Sequence, residues 1–183
     1  MDNTRCILKD DRILMLETTF GNQKIAIANI HAPQSVSEKI QFYSHINNII
    51  EDHTNDDYAV IVLGDFNSVL NNNQGIMSGE KHSTREVASL SQLITHLDLK
   101  DSWQILHPEE KQYTWNRIRP FKARRIDYLF ISSGLTANIE QSEIISFPHS
   151  DHRAVTLTLV RHDYKRGPSC GNSITAYLKI QNT

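Results

Sequence analysis

The segment Val60–Asn67, Val-Ile-Val-Leu-Gly-Asp-Phe-Asn, constrains the fold of this chain more than any other. Four apolar residues run into Gly64, and a short apolar run closed by a glycine predicts a buried central strand. Gly64 lets the backbone turn at the strand end, where Asp65 and Asn67 present polar oxygens. Side chains alternate along extended chain, so Asp65 and Asn67 are expected on one face and Phe66 on the other. A carboxylate and an amide placed this way can orient a water or hold a phosphate oxygen. They also suit an ordinary Asx turn that satisfies local backbone donors. The segment by itself leaves both readings open.

A chain of 183 residues with 39% hydrophobic content can build one domain with a real core, which excludes a disordered or fibrous protein. Its formal net charge of −2 gives no global pull toward nucleic acid, so such an attraction must come from a local patch. Cys6 and Cys170 lie near opposite ends without metal or redox spacing, and free thiols in a reducing compartment are expected. No apolar run reaches membrane-spanning length and the first residues lack the apolar region of a signal peptide. The expectation is an intracellular protein, nuclear or cytoplasmic, with no membrane partner.

Arg12–Glu17 and Lys24–His31 read as strands joined through a Gly-Asn turn, and Pro33 ends the second. His31 therefore stands at a strand end, as Asp65 does. Ser35–Glu38 and Ser83–Glu86 have the capping-box pattern. Behind the first, Ile40, Tyr43, Ile46, Ile49 and Ile50 recur at helical spacing; behind the second, Val87, Leu90, Leu93, Ile94 and Leu97 do. Further strands are expected at Tyr113–Trp115, Ile126–Ser132 and Ala154–Val160. Strands mixed with two helices and hairpin-like turns predict an α/β (α+β) sheet packing rather than a doubly wound parallel fold. The domain is expected over 1–161, with 162–183 a linker-like tail.

Asp127 sits inside one strand and Ser150-Asp151-His152 just before another. Asp127 could be a core acid paired with Arg124 or Arg125, and Ser150–His152 could be a capped turn. Several strands that end in acid, amide or imidazole groups are, however, how catalytic residues gather at the edge of a rigid sheet. Arg117, Arg119, Lys122, Arg124 and Arg125 interleave with Trp115 and Phe121, which suits either a solvated hairpin or a nucleic-acid contact.

Asn29–Pro33 (NIHAP), Gly64–Asn67 (GDFN), Thr114-Trp115, Arg125–Tyr128 (RIDY) and Ser150–His152 (SDH) occur in an order that resembles the endonuclease/exonuclease/phosphatase superfamily, the DNase I-like fold. The likeness is nearest to endonuclease domains of LINE-type (non-LTR) retrotransposons and runs from about Arg12 to Val160. Lys165–Asn182 resembles a worn form of the segment that links such endonucleases to a reverse transcriptase, a partner domain the resemblance implies in the parent polyprotein.

The resemblance implies the C-terminal portion of a four-layer α/β/β/α sandwich with its site at one rim. It implies that His152, oriented by Asp127, acts on a scissile phosphate as a base or as a stabiliser of its charge. Asp65 would activate or orient the attacking water, with Asn67 holding a non-bridging oxygen. Asn29, His31 and Gln34 would contact phosphate, and Asp151 would bind Mg²⁺ or Mn²⁺. Trp115 and the basic stretch would meet DNA. The sequence departs from the family at His31, where Tyr is usual, and at Gln34, where Asn is common. Nothing before Asn29 resembles the family's Asn and metal-binding Glu motifs, and Glu17 lies between flanks that do not match. The front of the domain is therefore expected to be missing, with weakened metal binding.

Three functions follow as expectations. The first is a metal-dependent phosphodiesterase that nicks DNA. The second is a truncated, inactive remnant that at most binds nucleic acid through the basic loop. The third keeps the fold but takes a lipid or inositol phosphodiester, and needs no basic loop.

Overall fold

In the computed structural model, the described residues are 4–148 and 150–160, with the backbone of Ser173–Tyr177. The chain order is β1 (Arg5–Lys9), β2 (Ile13–Phe20), β3 (Gln23–His31), α1 (Val36–His53), β4 (Tyr58–Asp65), α2 (Asn72–Gly75), β5 (Ile76–Ser78) and α3 (Thr84–His96). Then follow β6 (Leu99–Asp101), α4 (Ser102–Leu106), β7 (Trp115–Arg117), β8 (Lys122–Arg124), β9 (Asp127–Ser132), β10 (Ile139–Ser146), β11 (Arg153–Val160) and β12 (Ser173–Tyr177).

A six-stranded sheet in the order β1-β2-β3-β4-β9-β6 carries the molecule. Only β3 and β4 pair in parallel within it, because α1 provides the crossover between them; β4–β9 and the other pairs are antiparallel. β4 is buried on both faces, as its unbroken apolar run predicts. On one face Ala28, Val62 and Phe130 pack against Tyr43, Ile46 and Ile50 of α1 and Leu90 and Leu93 of α3. On the other, Ile61, Leu63, Leu129 and Ile131 meet Val155, Leu157 and Leu159 of β11. β11 is the middle of a second sheet, β10-β11-β12. Helices, large sheet and small sheet are thus three successive layers of the expected sandwich. A third sheet, β5-β8-β7, contains the β7–β8 hairpin.

Local chemistry explains where elements start and stop. The β2–β3 turn contains Gly21 at φ 65°, the left-handed value a tight hairpin requires. Ser83 caps α3 by accepting from the Glu86 N–H at 3.2 Å. The expected capping box at Ser35–Glu38 does not form: Ser35 makes no side-chain cap bond, and its hydroxyl lies 3.1 Å from that of Ser37. β1 arises from a segment with no legible pattern. Within 162–183, expected as a linker, Ser173–Tyr177 pairs with β11; the reverse-transcriptase-like segment otherwise lies outside the described residues, as does Cys170. Among the described residues no helix is long and apolar enough to cross a membrane.

Candidate active site

Three adjacent strands end in one row. His31 of β3 is in register with Asp65 of β4, and Asp65 with Asp127 of β9. Directly opposed residues on one sheet face hold their Cβ atoms about 5 Å apart, so the row places an imidazole and two carboxylates side by side. The second sheet supplies the fourth group, because His152 immediately precedes β11. Its Nδ1 lies 3.1 and 3.0 Å from the two carboxylate oxygens of fully buried Asp127. Ligand-type atoms of Asp65, Asp127 and His152 all fall within 4.8 Å of one another.

Thr114 fixes this junction. Its buried hydroxyl oxygen accepts the N–H groups of Ile126 and Asp127, each at 3.0 Å, so the start of β9 is pinned. The neighbouring backbone binds the His152 segment: Asn116 N–H donates to Asp151 at 3.1 Å and Arg153 N–H to Thr114 at 2.6 Å. The sequence marks Thr114-Trp115 only as a family motif; the structure shows why a small hydroxyl is needed there.

Gly64 is required by contact rather than by a turn. At φ +138° its Cα faces β3 so closely that an added Cβ would sit 1.9 Å from the Ile30 carbonyl oxygen. Phe66 then plugs the helix side, edge-on to Tyr128 and Phe130 at 5.7 and 5.0 Å. The Tyr43 hydroxyl donates to its carbonyl at 2.5 Å. Asn67 does not continue the extended alternation. It adopts φ 48°, its N–H donates to Asp65 Oδ1 at 2.7 Å, and its side-chain amide donates to the Ala32 carbonyl at 2.8 Å. The Asx turn is real, and it aims Asp65 into the site.

Burial and the adjacent charge of Asp127 push the Asp65 carboxyl up to about 7, against the opposing pull of the Asn67 N–H and of His152. For His152, burial works against the imidazolium. The hydrogen bond and charge of Asp127, joined by Asp65 and Asp151, outweigh it and raise the pKa. His31 is lowered by partial burial and by Arg12 and His152. Its Nε2 stands 3.9 Å from Asp65 Oδ2, on an exposed side chain at the rim.

The remaining expected site residues divide. Asn29 is half-buried on the same face of β3 as His31, one row further in, opposite Leu63. Gln34 is exposed in the loop before α1. Asp151 is exposed and outside the converging group; its Oδ2 accepts the Trp115 indole N–H at 2.8 Å. Arg117 and Arg119 are exposed on the β7–β8 hairpin beside Ile118 and Phe121, 80% and 55% exposed, and Lys122 is half-buried at its base.

Arg125 corrects the expectation of a nucleic-acid contact. It is buried, bonds both Asp101 oxygens at 2.6 Å, and stacks on Trp103 and Tyr128. Its planar, bidentate guanidinium serves the scaffold. Arg124 is half-buried and donates to the Glu80 carbonyl at 3.0 Å. Glu17, outside the site on sequence grounds, binds Arg5 and the Tyr58 hydroxyl, each at 2.9 Å.

The residues fit a divalent cation in kind: buried carboxylates crowd together, and one of them is held partly protonated by burial and by the other's charge. A cation at such oxygens would relieve that repulsion.

The endonuclease/exonuclease/phosphatase family profile matches residues 3–152. An uncharacterised 149 kDa protein of transposon TX1 from Xenopus laevis is 31% identical over 150 residues; the match covers 81% of this chain and only 11% of that protein's length. The fold superposes on the 3′ phosphatase NExo from Neisseria, solved with its product DNA hairpin, at a TM-score of 0.69 and 20% identity, covering 86% of this chain and 70% of that one. It superposes on the endonuclease domain of TRAS1, a telomere-specific non-LTR retrotransposon, at a TM-score of 0.67 and 15% identity, covering 89% and 70%. With all five sequence motifs inside the matched span, which ends at His152, this chain belongs to the endonuclease/exonuclease/phosphatase family.

Proposed function

We propose that this protein is a divalent-metal-dependent phosphodiesterase that nicks DNA, of the kind retrotransposons use at their target sites. The observation that carries the proposal is the convergence of Asp65, Asp127 and His152 from three segments onto one sheet edge. Phosphodiester cleavage needs positioning and charge stabilisation rather than a protein nucleophile.

The environments of these groups support a division of roles. A carboxyl poised near 7 suits a general base at neutral pH, so Asp65 takes a proton from the attacking water. His152, held by Asp127 and favoured as imidazolium, places positive charge against the phosphoryl oxygens. The Asn67 amide has two N–H bonds; one is directed at Ala32, and the other is available to a non-bridging oxygen. His31 donates from the rim, with Asn29 and Gln34 further along the phosphate path. Mg²⁺ or Mn²⁺ would be held by the carboxylates of Asp65 and Asp127, with Asp151 as a further carboxylate at the rim, and would supply charge neutralisation on the phosphate; His152, as imidazolium, would not ligate it.

DNA is the substrate this reading favours over lipid or inositol phosphodiesters, because a basic hairpin grows directly from the site. Trp115 bridges to His152 in the backbone, and three residues of extended chain carry the tip about 10 Å away. Arg117, Arg119 and Lys122 there would pair with phosphates flanking the scissile one. The likeness to a transposon protein supports a parent chain that also holds a reverse transcriptase, and an intracellular address goes with that substrate.

The test is supercoiled plasmid nicking with Mg²⁺ or Mn²⁺, with EDTA and His152→Ala as controls. Metal-dependent nicking that disappears in His152→Ala is the expected result. DNA binding without nicking in the unaltered protein would replace the proposal with the binding-only remnant.

A further inference from the structure

Two charged side chains are buried on the apolar stripes of the helices, away from the converging acids. Lys39 of α1 and Glu86 of α3 are 3% and 2% exposed and form an ion pair with each other. Replacing such a pair by apolar residues is often neutral or stabilising, so packing alone does not account for it. What it touches does. Lys39 Nζ donates to the Asn67 carbonyl at 2.7 Å. That carbonyl belongs to the left-handed residue whose N–H holds Asp65.

Glu86 Oε1 also takes His82 Nδ1. The His82 backbone is clamped on both sides by the Asn72 amide, at 2.8 and 2.9 Å. With the proton on Nδ1, His82 donates to Glu86 and leaves Nε2 to accept from Arg124 Nη1, 3.4 Å away. Arg124 lies in β8 opposite Trp115, whose indole holds Asp151 beside His152. The contacts therefore run from the Asp65 turn behind the sheet and back to the His152 segment. Burial opposes the charge on Glu86, but the hydrogen bonds from His82 and Lys39 outweigh it and bring its carboxyl down to about 2, so Glu86 is held as a carboxylate.

We infer that Lys39, Glu86 and His82 are positioning residues that hold the Asp65–Asn67 turn in its reactive conformation and tie it to the β7–β8 hairpin. The catalytic consequence rests on the proposed phosphodiesterase reading; the mechanical claim does not. The discriminating variant is Lys39→Met/Glu86→Gln, which leaves no unpaired buried charge and keeps an acceptor for His82 while removing the donor to Asn67. Amide hydrogen exchange followed by NMR should show protection at Asn67 falling tenfold or more, with Val62 and Leu129 unchanged. Nicking at saturating plasmid should fall at least tenfold with KM unaltered. Lys39→Arg, which keeps a cationic donor, should retain Asn67 protection within threefold. Wild-type protection at Asn67 in the double variant, or its equal loss in a folded Lys39→Arg protein, would overturn the inference. If the unaltered protein does not nick at all, that failure belongs to the phosphodiesterase reading, and the exchange data still decide the positioning claim.

Discussion

Replacing Asp65 by Asn should cost the protein its activity and make it more stable, in a pH-dependent way that the site geometry fixes. Asn keeps an oxygen to accept the Asn67 N–H, now at 2.7 Å, so the turn survives while the charge goes. In the folded protein the Asp65 carboxyl is pushed up to about 7, far above its range in an unfolded chain. A group whose pKa is raised by folding stabilises below its unfolded value, and that contribution is lost as pH rises toward the folded one. Each pH unit across that window is worth about 1.4 kcal/mol, so the ionised site carries a burden of up to about 4 kcal/mol above pH 7. Asp65→Asn escapes it. Denaturant melts should give nearly equal stabilities for the two proteins at pH 4. A gap should open between pH 4 and 7 and then level off, with about 2–4 °C in Tm for each kcal/mol in a chain of this size. Mg²⁺ or Mn²⁺ at pH 8 should narrow the gap by stabilising the wild type, and EDTA should restore it. Parallel stability curves from pH 4 to 8 would refute the reasoning, because Asp65 would then not be destabilised by its place beside Asp127.

Other consequences are equally local. Gly64→Ala should unfold the protein or cost upward of about 3 kcal/mol, since its Cβ would meet the Ile30 carbonyl oxygen at 1.9 Å; a melt near the wild-type Tm would contradict the close approach. Neutralising Arg117, Arg119 and Lys122 together should flatten the salt dependence of DNA binding, measured by fluorescence anisotropy, by a slope of about 0.9 for each phosphate that the protein no longer neutralises. Arg125→Met should leave that slope unchanged and destabilise the fold by about 3–5 kcal/mol, because it strands buried Asp101. The nicking rate should be bell-shaped in pH, rising as Asp65 ionises, at a pH below 7 because the bound cation lowers its carboxyl, and falling as His152 loses its proton; in Asp127→Asn the falling limb should move to lower pH.

Much of this site is legible in the sequence because its parts are short and punctuated. An apolar run ending in Gly-Asp-Phe-Asn can be little other than a central strand with a polar end, and β4 is that strand. The imidazole and carboxylates at other strand ends stand out as candidates, but their register does not. That His31, Asp65 and Asp127 form one row depends on how three strands align, and the pairing is settled by packing on both faces. Arg125 is hidden because a basic stretch looks uniform in sequence, although the chain enters β9 there and turns inward, where Asp101 waits at the end of a strand 24 residues earlier. Lys39 and Glu86 are hidden because charge suggests solvent. The helical spacing itself holds the signal: Lys39 is four and seven residues before Tyr43 and Ile46, and Glu86 stands likewise before Leu90 and Leu93.

The division of labour between the two ionisable partners comes from one arrangement. Two carboxylates in adjacent register positions cannot both carry full charge without a large penalty away from water. Asp127, fully buried, directs its charge at His152, and both of its oxygens face that imidazole. Asp65 is left with its burial and the repulsion of Asp127, which together push its carboxyl up to about 7, so its proton is the one that becomes available near neutral pH. In the proposed phosphodiesterase, base and acid are separated by which carboxylate the imidazole sits on. That choice is made by Thr114, whose hydroxyl pins the start of β9 and whose neighbours hold the His152 segment against it. In the proposed reaction the roles of the two carboxylates therefore rest on a backbone junction outside the reacting groups.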